Sequence, residues 1–140
     1  MTADEIIAAL KLSAHPEGGW FRETWRAEAH EGERASGTAI FYLLKAGERS
    51  HWHRVDAAEI WHYYAGAPLR LSLSRDGKAQ EDRILGPNLA CGESPQIVVA
   101  PHEWQAAQSL GDWTLVGCTV SPAFEFSGFE MAPQGWAPGR

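Results

Sequence analysis

One stretch decides the fold and carries most of the candidate chemistry: residues 47–66, which read GERSHWHRVDAAEIWHYYAG. His51 and His53 are two residues apart, and on a β-strand that spacing directs both imidazoles to the same face. Glu59 follows after a five-residue loop and opens the next strand, which Gly66 closes. Two imidazoles and a carboxylate from neighbouring strands are able to hold one face of a metal ion, or to act as a general acid and base.

Around this stretch the chain alternates short apolar runs with turns, a pattern typical of a β-sandwich or barrel. Residues 38–44 are nearly all apolar, which predicts a strand buried on both faces. Asp76-Gly77 is a hairpin signal between two further runs. Besides a strand through the two histidines, the predicted strands are residues 20–27, 38–44, 59–65, 69–74, 80–84, 96–100, 104–107, 114–120 and 126–131.

The N-terminal segment, residues 1–14, is the part of the chain with a helical pattern. Thr2 and Glu5 have the spacing of a capping box, and the apolar residues that follow lie on one helical face. We therefore expect a short helix over residues 3–12. Pro16 and the paired glycines after it end the helical pattern.

Length and composition limit the other classes of protein to which this sequence could belong. With 140 residues, no repeat and no long linker, residues 1–140 are expected to form a single domain, with a loose Gly- and Pro-rich tail over 133–140. The net charge is −6 and the basic residues are scattered, so no nucleic-acid partner is expected. No apolar run approaches the roughly 20 residues of a membrane span. Without a signal-like N-terminus or a disulfide framework, we expect a cytoplasmic protein without a membrane partner.

The histidine stretch resembles the first cupin motif, in which two histidines one residue apart precede a glutamate, and six residues separate that glutamate from a glycine. The second cupin motif adds a ligand, usually histidine. The matching stretch here is residues 98–107, and Gln105 stands at the ligand position. The resemblance implies an all-β fold, a double-stranded β-helix or jelly-roll barrel, with the short N-terminal helix outside it.

Almost the whole chain is similar to one small single-domain cupin family of undefined activity. The residues that carry this resemblance are His15–Glu23, Ser50 with His53–Val55, Glu59–Gly66, Leu85–Pro87, Trp104–Ala107 and Val116–Phe124. The resemblance implies a homodimer. The apolar surface of residues 20–25 and 38–44 also favours one, because a single small barrel does not cover it.

The resemblance also implies a site inside the barrel. His53 and Glu59 are the candidate catalytic residues. His51, His53, Glu59 and Gln105 are the candidate ligands of a divalent metal (Fe, Mn, Ni or Zn), and a site without metal stays open. The candidate substrate-binding residues are Gln105, Trp61, Tyr63, Arg22 and Ser50.

Several functions remain open for such a site. One is an enzyme that acts on a small polar molecule, either an isomerase or epimerase of a sugar derivative or a metal-dependent oxygenase. The alternative is a non-catalytic module that binds a metabolite in the same pocket. Fold alone does not choose between them.

Overall fold

The computed structural model describes residues 1–139. The first element in the chain is helix α1, Ala3–Leu10. The Thr2 hydroxyl accepts a hydrogen bond from the Glu5 amide, and the Glu5 carboxylate accepts one from the Thr2 amide, so the predicted capping box is confirmed. The helix ends earlier than predicted because Lys11 is left-handed, with φ 57°. No helix among the described residues is long and apolar enough to cross a membrane.

Eleven strands follow within residues 1–139: β1 Ser13–Ala14, β2 Trp20–Arg26, β3 Thr38–Lys45, β4 Arg49–Val55, β5 Ala58–Gly66, β6 Leu69–Ser74, β7 Glu81–Leu85, β8 Gln96–Val99, β9 Trp104–Ser109, β10 Trp113–Ser121 and β11 Phe129–Met131. They form two antiparallel sheets. Sheet A has the order β1-β2-β3-β10-β5-β8, and sheet B the order β11-β4-β9-β6-β7. From β3 onward the chain passes to the opposite sheet at almost every connection. This is the predicted double-stranded β-helix.

The two sheets face each other across an apolar core. Alternate side chains of the strands point into this core and fill it. Tyr42 and Leu44 of β3 point inward and pack with Trp61, Leu71 and Val116 from other strands. All five are almost completely buried. This core occupies one part of the space between the sheets and leaves the region beside the first residues of β3 and β5 for a cavity.

Two strands differ from their predicted form. Residues 126–131 were expected to be one strand, but Phe126–Gly128 form a turn of 3-10 helix and only Phe129–Met131 pair with β4. Strand β1 has two residues, which is too short to give a periodic signal in the sequence. The hairpin at Asp76-Gly77 is confirmed, and it joins β6 to β7.

Helix α1 covers part of the outer face of β3. Leu43 points outward and is fully buried, because Ile6 and Leu12 pack against it. The second apolar face of residues 38–44 therefore has a partner within its own chain. By itself that face does not require a second copy of the protein.

The described part of the C-terminal segment is not the loose tail that its composition predicts. The Trp136 ring packs against Trp52 and Trp104, with ring centroids 5.8 and 4.7 Å away. The Gly139 amide donates to the carbonyl oxygen of Gly77 at 3.0 Å. One large aromatic side chain thus anchors a segment whose glycines and prolines suggested disorder.

Removing this anchor should lower stability. We expect Trp136→Ala to reduce the free energy of unfolding by about 1–2 kcal/mol, less than for a fully buried tryptophan because Trp136 is half-buried. Urea denaturation followed by far-UV circular dichroism measures the change. Leu89→Ala is the control, since Leu89 is 68% exposed and should change stability by less than about 0.5 kcal/mol. Equal effects of the two substitutions would mean that the tail is loose.

The homodimer stays a prediction. The outer face of sheet A that α1 leaves open carries Trp25, Tyr64 and Val98, each more than half exposed. A second copy on this face would bury these side chains. We expect light scattering at micromolar concentration to give the mass of two chains, and Val98→Asp to shift it towards one chain while Leu89→Asp does not. A wild-type protein with the mass of one chain would contradict the prediction.

Candidate functional site

A cavity of about 360 Å³ opens between the two sheets. Its inner end is polar and its walls are largely apolar. The residues that line it are His15, Glu17, Phe21, Glu23, Arg26, Thr38, Ile40, His53, Val55, Glu59, Val120, Phe124, Glu125, Phe126 and Ser127. Two of the predicted site residues, His53 and Glu59, therefore share one cavity, as the strand spacing indicates.

A β-bulge in β4 decides which side chains point inward. Ser50 pairs with Ala107 and His53 with Gln105, so β4 has one more residue than β9 between these pairs. Ser50 and His53 are both buried although they are three positions apart, an offset that places side chains on opposite faces of a regular strand. His51 does not lie beside His53, because its Nε2 atom lies 3.1 Å from the Ala132 carbonyl oxygen in the C-terminal segment. The predicted shared face of the two histidines is therefore wrong.

The imidazole of His53 is held through one of its two nitrogens. Nδ1 lies 2.8 Å from the carbonyl oxygen of His51 and 3.1 Å from Oε2 of Glu17. A carbonyl oxygen only accepts, so Nδ1 carries the proton and Nε2 is the acceptor nitrogen. Within residues 1–139, Nε2 has no hydrogen-bond partner. Burial lowers the pKa of His53, which keeps the ring neutral near pH 7.

Glu17 is a site residue that the sequence reasoning missed. It lies in the loop between β1 and β2, and its carboxylate accepts a hydrogen bond from the Ser50 hydroxyl. The loop reaches β4 because Gly18 is left-handed, with φ 108°, and a side chain there would overlap the Arg49 carbonyl oxygen. Burial raises the pKa of Glu17 to about 8. The available signal was a carboxylate beside two glycines that permit close backbone contact.

His15 lies next to Glu17 in the same loop. Its Nδ1 accepts a hydrogen bond from the Glu17 amide at 3.0 Å, so this nitrogen is unprotonated. Burial lowers the pKa of His15 to about 4, and the ring is neutral near pH 7. The contact of 3.4 Å between His15 Nδ1 and Glu17 Oε1 is therefore between neutral groups rather than between ions.

Glu59 ends a chain of three buried polar side chains. The Trp61 indole N–H donates to Gln105 Oε1 at 2.8 Å, and Gln105 Nε2 donates to Glu59 Oε1 at 2.9 Å. These two bonds fix the orientation of the Gln105 amide. Burial raises the pKa of Glu59 to about 7. The Cys118 thiol is a further hydrogen-bonding neighbour of Glu59, and burial raises its pKa well above the usual range.

The four predicted metal ligands do not form a donor set. His51 points to the C-terminal segment, and the carbonyl oxygen of Gln105 already accepts from Trp61. Only His53 and Glu59 of the four line the cavity. Among the described residues, no group of three or more His, Cys, Asp or Glu side chains is arranged to hold a metal ion. The residues at this site therefore do not fit the metal that the cupin motif implies.

The predicted substrate-binding residues have other positions. Ser50, Trp61 and Gln105 lie behind the cavity wall, where they support Glu17 and Glu59. Tyr63 donates its hydroxyl proton to the Gly66 carbonyl oxygen.

Arg22 points away from the cavity. It is exposed, and its Nε donates to the Leu10 carbonyl oxygen at the end of α1. The alternation of β2 directs Phe21 and Glu23 into the cavity and Arg22 to the outside.

The two antiparallel sheets form a double-stranded β-helix, with His53, Glu59 and Gln105 inside the barrel. This is the architecture of the cupin class. The family model described as Cupin superfamily (DUF985) matches residues 4–132, and the chain belongs to this family.

Three similar proteins extend this result. A structure from Shewanella oneidensis is 38% identical, with a TM-score of 0.91 over 96% of this chain and 86% of that one. A structure from Leishmania major is 29% identical, with a TM-score of 0.87 over 97% and 90%. An oxalate decarboxylase of Arthroderma benhamiae is 29% identical over 113 residues. That match covers 76% of this chain but only 26% of the fungal protein.

The raised pKa values of Glu17 and Glu59 predict how stability depends on pH. A carboxyl that is protonated in the folded state and ionised in the unfolded state lowers the free energy of unfolding as the pH rises between its two pKa values. For Glu59 this window runs from 4.5 to about 7. We expect the free energy of unfolding of Glu59→Gln, relative to wild type, to rise by about 1–3 kcal/mol between about pH 5 and 8.

Urea denaturation at a series of pH values measures this difference. His15 acts in the opposite direction in the acid range, but it is present in both proteins and cancels. Glu33→Gln is the control because it makes the same substitution at an exposed position, where it should change the free energy of unfolding by less than about 0.5 kcal/mol. A carboxyl carbon of Glu59 that titrates near pH 4.5 by NMR would contradict the prediction.

Proposed function

We propose that this cupin catalyses proton transfer on a small polar molecule, as an isomerase or epimerase of a hydroxylated carbonyl compound. One observation carries the proposal. A neutral imidazole with an unpartnered Nε2 and two buried carboxyl groups line the same cavity. General acid–base catalysis needs groups whose pKa values lie near the working pH, and burial moves the pKa of Glu59 to about 7.

The proposed step uses His53 as the base and Glu59 as the acid. His53 Nε2 takes the proton from the carbon next to the substrate carbonyl, and Glu59 gives its proton to the carbonyl oxygen, which forms an enediol. Glu59 then removes the proton of the neighbouring hydroxyl, and His53 returns its proton to the former carbonyl carbon. Epimerisation differs in its second half: the enediol turns in the cavity, Glu59 takes back the proton of the former carbonyl oxygen, and His53 returns its proton to the opposite face of the original carbon. No proton is gained or lost overall.

Glu17 and Gln105 are positioning residues in this proposal. Glu17 contacts Nδ1 of His53, so the imidazole keeps its orientation while Nε2 gains and loses a proton. Gln105 donates to Oε1 of Glu59 and so fixes the orientation of this carboxyl group in the cavity wall. Trp61 holds Gln105 in turn. This support from buried hydrogen bonds is typical of catalytic groups on a rigid scaffold.

Two other functions have less support. A metal-dependent oxygenase needs a donor set that His51 and Gln105 do not complete. A metal-dependent decarboxylation of oxalate, after the name of the Arthroderma benhamiae relative, would need such a donor set too. This chain matches only about a quarter of that relative. A non-catalytic metabolite-binding module would use the same cavity. It differs from the enzyme because the carbon-bound protons of a bound molecule would not exchange with solvent.

An exchange experiment tests the proposal. The protein is incubated in D₂O with a panel of hydroxylated aldehydes and ketones that contains uncharged, anionic and cationic members. We expect mass spectrometry to show deuterium on carbon for at least one compound. Glu59→Gln and His53→Asn should lower the rate about 100-fold or more, and Glu17→Gln about tenfold.

Glu33→Gln is the matched control, since it removes one exposed carboxylate and should leave the rate unchanged. Compounds that bind without exchange would support the binding module. A panel with no exchange above the protein-free rate would refute the catalytic proposal.

A further inference from the structure

The cavity contains many more acidic than basic side chains. Four of its lining residues are glutamates and one is an arginine, and its two histidines lie at the buried inner end. Glu17 and Glu59 lie at that end, while the more exposed Glu23 and Glu125 lie towards the mouth. An anionic group that reached the inner end would lose its hydration and face carboxyl groups instead of a counterion.

Arg26, the one arginine that lines the cavity within residues 1–139, is already engaged. Arg26 Nε and Nη2 donate to the two carboxylate oxygens of Glu23, each at 2.9 Å, and Nη2 also donates to the Phe124 carbonyl oxygen at 3.0 Å. A two-bond pair with a carboxylate is the arrangement in which a guanidinium recognises an anion. A second anion at the mouth would have to compete with Glu23 for it.

The inner end is suited to groups that both donate and accept hydrogen bonds. His53 Nε2 is an acceptor, and one oxygen of Glu59 is free of the Gln105 bond. In its protonated form Glu59 is also a donor. Hydroxyl and carbonyl groups match this set. An ammonium group offers only donors, so it would leave the donor proton of protonated Glu59 without an acceptor.

The walls and the volume limit the size of the molecule. Phe21, Ile40, Val55, Val120 and Phe124 surround the polar end with apolar surface. The cavity of about 360 Å³ lies at the small end of ligand sites, which span roughly 300–1,000 Å³. A compact molecule whose carbon–hydrogen faces contact these walls would fill it.

We infer that the cavity takes an uncharged, hydroxylated aldehyde or ketone of sugar size and discriminates against its acid and phosphate counterparts. This inference rests on the proposed function and names the substrate class of the same site. It also means that the site does not suit a small dianion such as oxalate, although a relative carries the name of an oxalate enzyme. The discrimination comes from the lack of a free cation among the cavity-lining residues of the described range 1–139, so releasing Arg26 should weaken it.

Ligand-observed NMR titrations test the inference with matched probes: glucose, fructose and xylose against glucuronate, glucose 6-phosphate, glucosamine and oxalate. We expect at least one uncharged sugar to bind, and the anions to bind roughly tenfold more weakly or worse. Glu23→Gln frees Arg26 at the mouth and should raise the affinity for glucuronate about two- to fivefold. Glu130→Gln is the control, because it frees Arg54 from a similar exposed pair whose residues do not line the cavity.

The outcomes separate the substrate class from the catalytic proposal. Glucuronate, phosphate or oxalate binding as tightly as the sugars, or glucosamine binding more tightly, would overturn the class while leaving proton exchange intact. Failure of all three sugars to bind would also overturn it. Sugar binding without deuterium exchange would support the class and overturn only the catalysis. An equal gain of glucuronate affinity in Glu23→Gln and Glu130→Gln would show that Arg26 does not control the discrimination.

Discussion

The β-bulge in β4 is the constraint on which the site depends. Without the extra residue, strict alternation would direct Ser50 and His53 to opposite faces of sheet B. With it, the Ser50 hydroxyl and the His53 imidazole both reach the carboxylate of Glu17. His51 instead contacts the C-terminal segment, so one residue of register decides whether β4 presents two histidines to the cavity or His53 alone.

Burial without a counterion gives the cavity its chemical character. Glu17 and Glu59 are both enclosed, and their protein partners are hydrogen-bond donors such as Ser50 and Gln105 rather than cations. Neutral carboxyls tolerate such an environment, and carboxylates do not. With pKa values raised to about 8 and about 7, Glu17 is mostly protonated near neutral pH and Glu59 is partly protonated, at a cost in stability that rises as the pH approaches these values. Functional sites commonly carry this kind of cost.

Much of the fold could be predicted from the sequence, because it follows from periodicity. The apolar run of β3, the hairpin at Asp76-Gly77 and the capping box of Thr2 are all local signals. His53 and Glu59 could also be placed in one cavity from strand spacing and motif resemblance. The bulge could not, since it depends on how β4 pairs with a strand more than fifty residues later. Glu17 was equally hidden, because its burial depends on a loop that packs against that same strand.

The contacts that build the cavity also connect distant parts of the chain. Glu17 and Ser50 are 33 residues apart, Glu59 and Gln105 are 46 apart, and Arg26 is 98 residues from Phe124. These contacts are all long-range, while the β6–β7 hairpin and the capping box of α1 are held by neighbours in sequence. Partly folded forms of the chain would retain much of their local structure and have no site at all. Ligand binding would then report completion of the barrel more sensitively than secondary structure does.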